Sequence, residues 1–298
     1  MTYSILTVAH GVDHGLLTLQ ARSLALYCPA DLVHEIVVIE NFDAGQTLDW
    51  RKPLLLEYGR LASKVRFIPA AEVGPIPPGH GGWWVQQILK ITAARVISSP
   101  RYLVLDAKNH LTRPLDLSFL ETATGVPKLN GYGFEHHSLR DALIRALVYF
   151  EIEPEPFVRH FARTSTPYLM LTEVCRDLIR YVETREGVPF GEAFLGRRLT
   201  EFFLYAGFLQ AQGRLQTTYS MTQPFCPQIW GFSSGLHGVN EALTKARDPA
   251  SGPFLAVHRL ALTEMQMPAR AALADFWQEV KLFPTLQAGI LFSLYPNR

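Results

Sequence analysis

The chain is 298 residues long and almost neutral, because 28 Lys and Arg residues stand against 27 Asp and Glu residues. This balance excludes a global positive field that would draw the protein to nucleic acid or to an anionic membrane, so an anionic ligand must meet a local cluster of cations. The three cysteines, Cys28, Cys175 and Cys226, are too far apart for a zinc site or a disulfide framework, which predicts a reducing, cytoplasmic environment.

The first third of the chain alternates between patterns typical of strands and patterns typical of helices. We expect a strand at 3–8, a helix at 16–27, a strand at 35–40, a helix at 53–61 and a strand at 65–68. A loop rich in Pro and Gly follows at 69–82, then a helix at 83–97 and a buried strand at 102–105. The alternation predicts an α/β, Rossmann-like fold with a mixed, mostly parallel sheet flanked by helices.

Beyond residue 114 the pattern becomes mainly helical. We expect helices at 139–150, 172–184 and 199–212, a strand at 252–259 that returns to the sheet, and a helix at 261–280. No stretch reaches the roughly 18 apolar residues that a membrane span needs, and the N-terminus lacks the pattern of a signal peptide. The apolar run at 286–295 could touch a partner or a bilayer surface, although a buried C-terminal element is the simpler interpretation.

The most informative segment is 101–114, in which a short apolar strand ends at Asp106 and is followed by turn-forming and cationic residues. In open α/β sheets, ligands bind beyond the carboxyl ends of the strands. A carboxylate there could hold Mg²⁺ or Mn²⁺ against a diphosphate, and Lys108 could instead contact a phosphate directly. The alternative is that residues 106–109 form only a turn, for which Asp and Asn are favoured.

The start of the helix at 83–97 offers a second set of ligand groups. Gln87 and Lys90 are three residues apart, so they share one helical face and could reach one ligand together. Gly81 and Gly82 allow close approach of the backbone, and amide groups at a helix start favour an anion. In the alternative, the neighbouring apolar residues are core and Lys90 is a solvated residue at its edge.

Three short motifs in this region resemble those of a bacterial family of glycosyltransferase-like proteins. They are Gly-Trp-Trp-x-Gln-Gln-x-x-Lys at 82–90, Tyr-Leu-Val-Leu-Asp at 102–106 and Arg-Pro at 113–114. The resemblance extends from the first strand to about Arg259 and implies a GT-A-like fold. In GT-A enzymes a strand leads into an Asp-x-Asp motif, whose carboxylates hold a divalent metal on the diphosphate of a nucleotide-sugar donor.

The chain departs from that motif at its second carboxylate. Asp106 corresponds to the first Asp, but Lys108 stands in place of the second, and an ammonium cannot ligate a cation. Two interpretations remain open. Asp106 binds Mn²⁺ or Mg²⁺ with help from Asn109, His110 or His258, or Lys108 itself neutralises the diphosphate leaving group.

The resemblance also suggests roles for residues outside this centre. Glu201 is the leading candidate for the carboxylate that takes the proton of the acceptor hydroxyl, with a first-turn glutamate stabilised by the helix dipole as the alternative. His258 could bind metal and Arg259 phosphate, or they could be a buried histidine beside a surface arginine. Asp13 could bind a base or ribose, or cap a helix. The expected donor-binding set is Asp13, Gln87, Lys90, Asp106, Lys108, Asn109 and Arg259.

Together these features predict a glycosyltransferase that moves a sugar from a nucleotide-sugar to a hydroxyl of a saccharide or lipid-linked acceptor, in bacterial surface polysaccharide or glycoconjugate assembly. We expect a single domain over 1–298, with a nucleotide-binding half at 1–114 and an acceptor half at 115–298. The expected location is the cytoplasm, including peripheral contact with the inner face of the membrane. The alternatives are a catalytically silent protein that binds a saccharide or a partner, and a nucleotidyltransferase, which commonly needs a glycine-rich basic loop that residues 10–15 lack.

Overall fold

A computed structural model describes residues 2–42 and 50–296. Its centre is a five-stranded sheet formed by β1 (Tyr3–Ala9), β2 (Val33–Glu40), β3 (Val65–Pro69), β4 (Arg101–Val104) and β8 (Tyr168–Leu171). The spatial order is β3-β2-β1-β4-β8, and all neighbouring pairs are parallel except β4 with β8, which is antiparallel. The predicted α/β fold with a mixed, mostly parallel sheet is therefore confirmed.

Two smaller sheets accompany the central one. The first contains β5 (Asn109–Leu111), β10 (Phe254–Val257) and β9 (Gln228–Ile229), and the second contains β6 (Gly131–Tyr132) and β7 (Phe161–Ala162). The prediction that the strand at 252–259 returns to the main sheet is therefore wrong. This strand, β10, lies antiparallel to β5 and parallel to β9. The turn after β4 redirects the chain into β5, which offers β10 a free edge outside the central sheet.

Helices cover both faces of the sheet. They are α1 (His14–Tyr27), α2 (Arg51–Tyr58), α3 (Ala70–Val73), α4 (Gly82–Thr92), α5 (Leu117–Leu120), α6 (Arg140–Tyr149), α7 (Glu155–Val158), α8 (Thr172–Glu186), α9 (Phe190–Gly196), α10 (Glu201–Ala211), α11 (Leu215–Thr218), α12 (Leu236–Arg247), α13 (Arg259–Glu264), α14 (Met267–Glu279) and α15 (Thr285–Ser293). The expected helical region after residue 114 is present, with α10 packed against α6 and α8.

The core lies in two layers, one on each side of the sheet. Side chains alternate between the faces of a strand. In β1, Ile5 therefore packs in one layer and Leu6 in the other, and Ile36 and Val37 divide in the same way in β2. A strand buried on both faces needs an almost unbroken apolar run, which explains the sequence Ile-Val-Val-Ile at 36–39.

Several predicted boundaries are corrected by the structure. The helix expected to reach residue 97 ends at Thr92, and a 3₁₀ turn follows at Ala93–Arg95. The helix expected at 261–280 is two helices, because Pro268 fits only in the first turn of a helix and forces a new start at Met267. The structure also contains a strand that we did not expect, β8, a run of four residues too short for its periodicity to be recognised.

The C-terminal run is only partly buried. Leu291 and Phe292 of α15 are buried, whereas Leu286 and Ile290 are 82% and 61% exposed. Within the described ranges, none of the helices combines the length and apolar character that crossing a bilayer demands.

Candidate active site

A cavity of about 1100 Å³ opens at the carboxyl ends of the central parallel strands. The chain leaves β1 towards β2 on one side and reaches β4 on the other, so the strand order reverses between β1 and β4. Such a reversal leaves a crevice, and ligands of open α/β sheets bind there. His10 after β1, Asn41 after β2 and Asp106 after β4 all line the cavity.

Asp106 is held at this edge by two lysines. Its Oδ1 lies 2.8 Å from the Nζ of Lys90, and its Oδ2 forms a short ion pair with the Nζ of Lys108 and accepts a hydrogen bond of 2.9 Å from the hydroxyl of Thr166. Burial alone would raise the pKa of Asp106, but the charges of Lys108 and Lys90 outweigh it and hold the pKa well below its usual range. Asp106 is therefore a fixed negative charge in contact with two cations.

Lys90 is buried inside the cluster rather than solvated, so the edge-of-core alternative is wrong. Its side chain is 4% exposed and its Nζ contacts Asp106 at 2.8 Å and Glu201 Oε1 at 3.1 Å. Burial lowers the pKa of Lys90, yet the two carboxylates more than compensate and leave it raised. Because one ammonium contacts both carboxylates, their two oxygens lie within about 6 Å of each other.

Glu201 is the first residue of α10 and lines the cavity. The preceding Thr200 occupies the N-cap position without a side-chain capping bond, and its buried hydroxyl has no hydrogen-bond partner. Burial raises the pKa of Glu201, partly opposed by the charge of Lys90. A carboxylate with a raised pKa is a stronger base than an exposed glutamate.

Two other expected donor-binding residues differ in their access to the cavity. Gln87 lines it, and the Gln87 Nε2 donates to the carbonyl of Trp83 at 3.1 Å, while the buried Oε1 has no hydrogen-bond partner among the described residues. Asn109 is fully buried away from the lining. Its Oδ1 accepts from the amide of Asp106 at 2.8 Å, so Asn109 closes the turn that presents Asp106 and Lys108.

Asp13 and Arg259 form an ion pair in the lining of the same cavity. The Nη1 of Arg259 lies 3.3 Å from Oδ1 of Asp13. Asp13 is the N-cap residue of α1 but makes no side-chain capping bond, so the ion pair rather than the cap accounts for its position. Burial raises the pKa of Asp13, and Arg259 acts in the opposite direction.

His258 lines the same cavity but has the character of a neutral, structural histidine. Its Nδ1 accepts from the amide of Leu260 at 3.3 Å, and its ring lies against Trp230 with centroids 5.0 Å apart. Burial, with the nearby charges of Lys108 and Arg259, lowers the pKa of His258 to about 4.

The donor set around Asp106 does not fit a divalent metal. Both carboxylate oxygens are in ion pairs with ammonium groups, and no group of three His, Cys, Asp or Glu side chains suited to a metal occurs among residues 2–42 and 50–296. Another expected helper, His110, is buried, and its Nε2 accepts a hydrogen bond from the indole of Trp277 at 3.0 Å. A cation at Asp106 would have to displace a lysine and lie beside another.

Arg163 is a charged cavity residue that sequence analysis missed. Arg163 follows the two-residue strand β7, is 1% exposed and lines the cavity. No local motif marks it, since neither its neighbours nor its spacing match a phosphate-binding pattern. An arginine directly after the apolar pair Phe161 and Ala162 is the only sequence signal.

Comparison with protein families matches residues 76–230, just over half of the chain, to a family of unknown function, DUF6492. The chain belongs to DUF6492. The matched DUF6492 segment contains Lys90, Asp106, Lys108 and Glu201, whereas Asp13 lies before it. A search of curated proteins finds no match to this DUF6492 chain.

Solved structures show which fold this DUF6492 protein has. An active-site mutant of LgtC aligns with a TM-score of 0.51 at 13% identity, covering 96% of this chain and 99% of that one. The galactosyltransferase LgtC in complex with donor and acceptor sugar analogues gives 0.49 at 12% identity, covering 99% and 97%. Glucosyl-3-phosphoglycerate synthase from Mycobacterium tuberculosis, in complex with Mn²⁺, uridine diphosphate and phosphoglyceric acid, gives 0.37 at 15% identity, covering 71% and 78%. The first of these matches confirms the expected GT-A fold.

Proposed function

We propose that this protein is a glycosyltransferase that moves a sugar from a nucleotide-sugar donor to a hydroxyl acceptor. The observation that carries the proposal is the Lys108–Asp106–Lys90–Glu201 cluster, in which Lys90 and Glu201 are buried, placed in a large cavity at the strand-order reversal of a GT-A fold. A cavity of about 1100 Å³ is large enough for a ligand of nucleotide-sugar size, since the pockets that hold drug-sized ligands measure roughly 300–1,000 Å³.

Lys108 is our candidate for stabilising the leaving nucleoside diphosphate. Its side chain is 12% exposed, is anchored by Asp106 and lies over the ring of Trp230, with Nζ 5.1 Å from the ring centroid. Catalysis of diphosphate departure needs a positive charge already in place where negative charge develops. Because the oxygens of Asp106 are occupied by lysines, the proposed mechanism assigns that charge to Lys108 and has no step that involves a metal.

The remaining donor contacts follow from which groups face the cavity. Arg259 is a half-exposed cation for a phosphate, and Asp13 beside it is an acceptor for ribose or base. Gln87 presents a buried oxygen without a partner, which suits a sugar hydroxyl. Asn109 acts by positioning the turn rather than by touching the donor.

We propose that Glu201 is the general base that takes the proton of the acceptor hydroxyl. It lines the cavity, its basicity is enhanced by burial, and its oxygen lies within about 6 Å of Asp106 Oδ1 through the shared Lys90. In this arrangement Lys90 limits the repulsion between the two carboxylates, so both can be ionised at once.

For the biological setting we propose the assembly of bacterial surface polysaccharide or another glycoconjugate, with a saccharide or lipid-linked acceptor. The support is the resemblance of the motifs at 82–90 and 102–106 to bacterial glycosyltransferase-like proteins. The division into a nucleotide-binding half at 1–114 and an acceptor half at 115–298 belongs to the same proposal.

A catalytically silent binding protein is the second candidate. One observation favours it: Asp106 is held in ion pairs by Lys90 and Lys108, as a purely structural residue would be. The location of Asp106 argues against a silent protein. Asp106 borders an open cavity, whereas an ion pair that serves only to stabilise the fold does not need to lie there.

Calorimetric titration with nucleoside diphosphates and nucleotide-sugars, each with Mn²⁺ and with EDTA, separates these possibilities. We expect binding that survives EDTA and that Lys108→Ala weakens about 10-fold or more, since a hydrogen bond to a charged group contributes about 1.5–3 kcal/mol. Lys245→Ala is the matched control, because Lys245 also pairs with a carboxylate, that of Glu241, but on the exposed surface. Binding that needs Mn²⁺ would overturn the role of Lys108, and no nucleotide binding at all would favour the silent protein.

A further inference from the structure

Among the residues that the structure describes, Arg163 is a buried cation without a carboxylate partner. Its Nη1 donates to Oε1 of Gln223 at 3.5 Å, and its Nη2 donates to Oγ of Ser165 at 3.1 Å and to the carbonyl of Thr166 at 3.5 Å. Its Nε has no hydrogen-bond partner in the described part of the chain. All of these acceptors are neutral, and two of the three contacts are at the limit of hydrogen-bond distance.

The other cations of the cavity are all compensated. The described lining holds four Lys or Arg side chains against three Asp or Glu side chains. Lys90 contacts Asp106 and Glu201, Lys108 contacts Asp106, and Arg259 contacts Asp13, each within 3.3 Å. Within this described lining, the uncompensated positive charge is therefore that of Arg163.

Burying a guanidinium without an opposite charge lowers the stability of the folded protein. A guanidinium remains charged in proteins, and a buried charge without an opposite charge destabilises the folded state. Burial accordingly lowers the pKa of Arg163, although not enough for it to lose its proton near neutral pH. An apolar side chain of similar size would fill this position at lower cost, which suggests that Arg163 is retained for a ligand.

Building on the proposed glycosyltransferase function, we propose that Arg163 binds an oxyanion of the acceptor, a carboxylate or phosphate carried by the saccharide. The guanidinium presents donors in a planar fork that matches either group. Gln228 and Ser165, which also line the cavity and are joined by a hydrogen bond of 3.3 Å, add neutral polar groups beside it.

The position of Arg163 favours the acceptor over the donor. Its polar contacts, Gln223, Ser165 and Thr166, all lie in the part of the chain after residue 114. Thr166 joins the two regions, since its hydroxyl donates to Asp106 and its carbonyl accepts from Arg163. A saccharide anchored by its anion at Arg163 would thus lie next to the charged cluster, where a hydroxyl can meet Glu201.

The test compares charged and neutral saccharides. With a nucleoside diphosphate present, wild type is titrated with glucuronate, glucose 6-phosphate and uncharged glucose, and the first two probes distinguish a carboxylate from a phosphate. We expect at least a 10-fold preference for one anionic probe over glucose. Arg163→Met should abolish this preference, and Arg163→Lys should keep part of it because the charge remains while the fork is lost.

Two further measurements make the result decisive. Thermal unfolding of Arg163→Met should occur at or above the wild-type temperature, whereas Arg176→Met, the control, should lower it, since Arg176 donates to backbone carbonyls of Ala94 and Ile97. A large drop in the melting temperature of Arg163→Met would identify a structural arginine and overturn the inference. So would nucleotide binding by wild type without any preference for an anionic saccharide, an outcome that leaves the proposed transferase intact. Absence of nucleotide binding would instead remove the transferase.

Discussion

Removing the charge of Lys90 should show how strongly this lysine stabilises the two carboxylates of the cluster. In Lys90→Met, Asp106 and Glu201 would lose their shared cation while staying within about 6 Å of each other. At an effective dielectric constant of about 20, two like charges at that distance repel by about 2.8 kcal/mol, or about 2 pKa units. Breaking a buried ion pair by removing one partner commonly costs about 3–5 kcal/mol.

The loss should appear in the melting temperature and should depend on pH. With an unfolding entropy of about 2.1 cal/mol/K per residue, 3–5 kcal/mol corresponds to a decrease of roughly 5–8 °C for a chain of this length. In wild type the raised pKa of Lys90 keeps its contribution fully present across pH 5–8. In the variant the pKa of Glu201 rises further above that of the unfolded chain, so stability falls as the pH increases through this range. The deficit should therefore be larger at pH 8 than at pH 5, by about 2 kcal/mol.

Differential scanning calorimetry of three variants checks the reasoning. Lys90→Met combined with Glu201→Gln should recover much of the lost stability, because one of the two repelling charges is gone. Lys245→Met, which removes an exposed lysine from a surface pair, should change the melting temperature by about 1 °C or less. A Lys90→Met protein that melts within 2 °C of wild type at pH 8, or whose deficit does not change with pH, would refute this account of the cluster.

Two more predictions concern single side chains of the cavity. Glu201→Gln should lower kcat for sugar transfer by about 100-fold or more, because general-base catalysis increases the rate roughly 10²–10⁴-fold. Nucleotide affinity should stay within about threefold of wild type. An unchanged kcat would exclude Glu201 as the base. The NMR signal of His258 should titrate at about pH 4. As the pH falls from 6.5 towards 4, wild type should lose stability relative to His258→Gln, because the histidine takes up its proton in the unfolded chain first. A titration near pH 6.5 would contradict this.

Local patterns in the sequence were enough to predict the four parallel strands of the central sheet and the position of Asp106. An apolar run that ends in a carboxylate and a turn is visible in the sequence itself, and so is the shared helical face of Gln87 and Lys90. The side chains of these two residues do line one cavity.

Contacts between distant segments could not be predicted in this way. Glu201 lies 111 residues from Lys90, and nothing in either segment specifies that their side chains meet. Arg163 was missed for a related reason. It stands out because its described hydrogen-bond acceptors are all neutral, and the sequence does not show which side chains are its neighbours in space. The edge strand β8 was missed because four apolar residues after a proline do not distinguish a strand from a loop.

The order of charges in the cluster also limits how this sequence can evolve. Lys108, Asp106, Lys90 and Glu201 alternate in sign, so each charge is next to an opposite charge that stabilises it. A carboxylate at 108, as in an Asp-x-Asp motif, would place like charges side by side and require a cation from solution. Substitution at 108 should therefore coincide with substitution elsewhere in the cluster, and such paired changes should be visible when DUF6492 sequences are aligned.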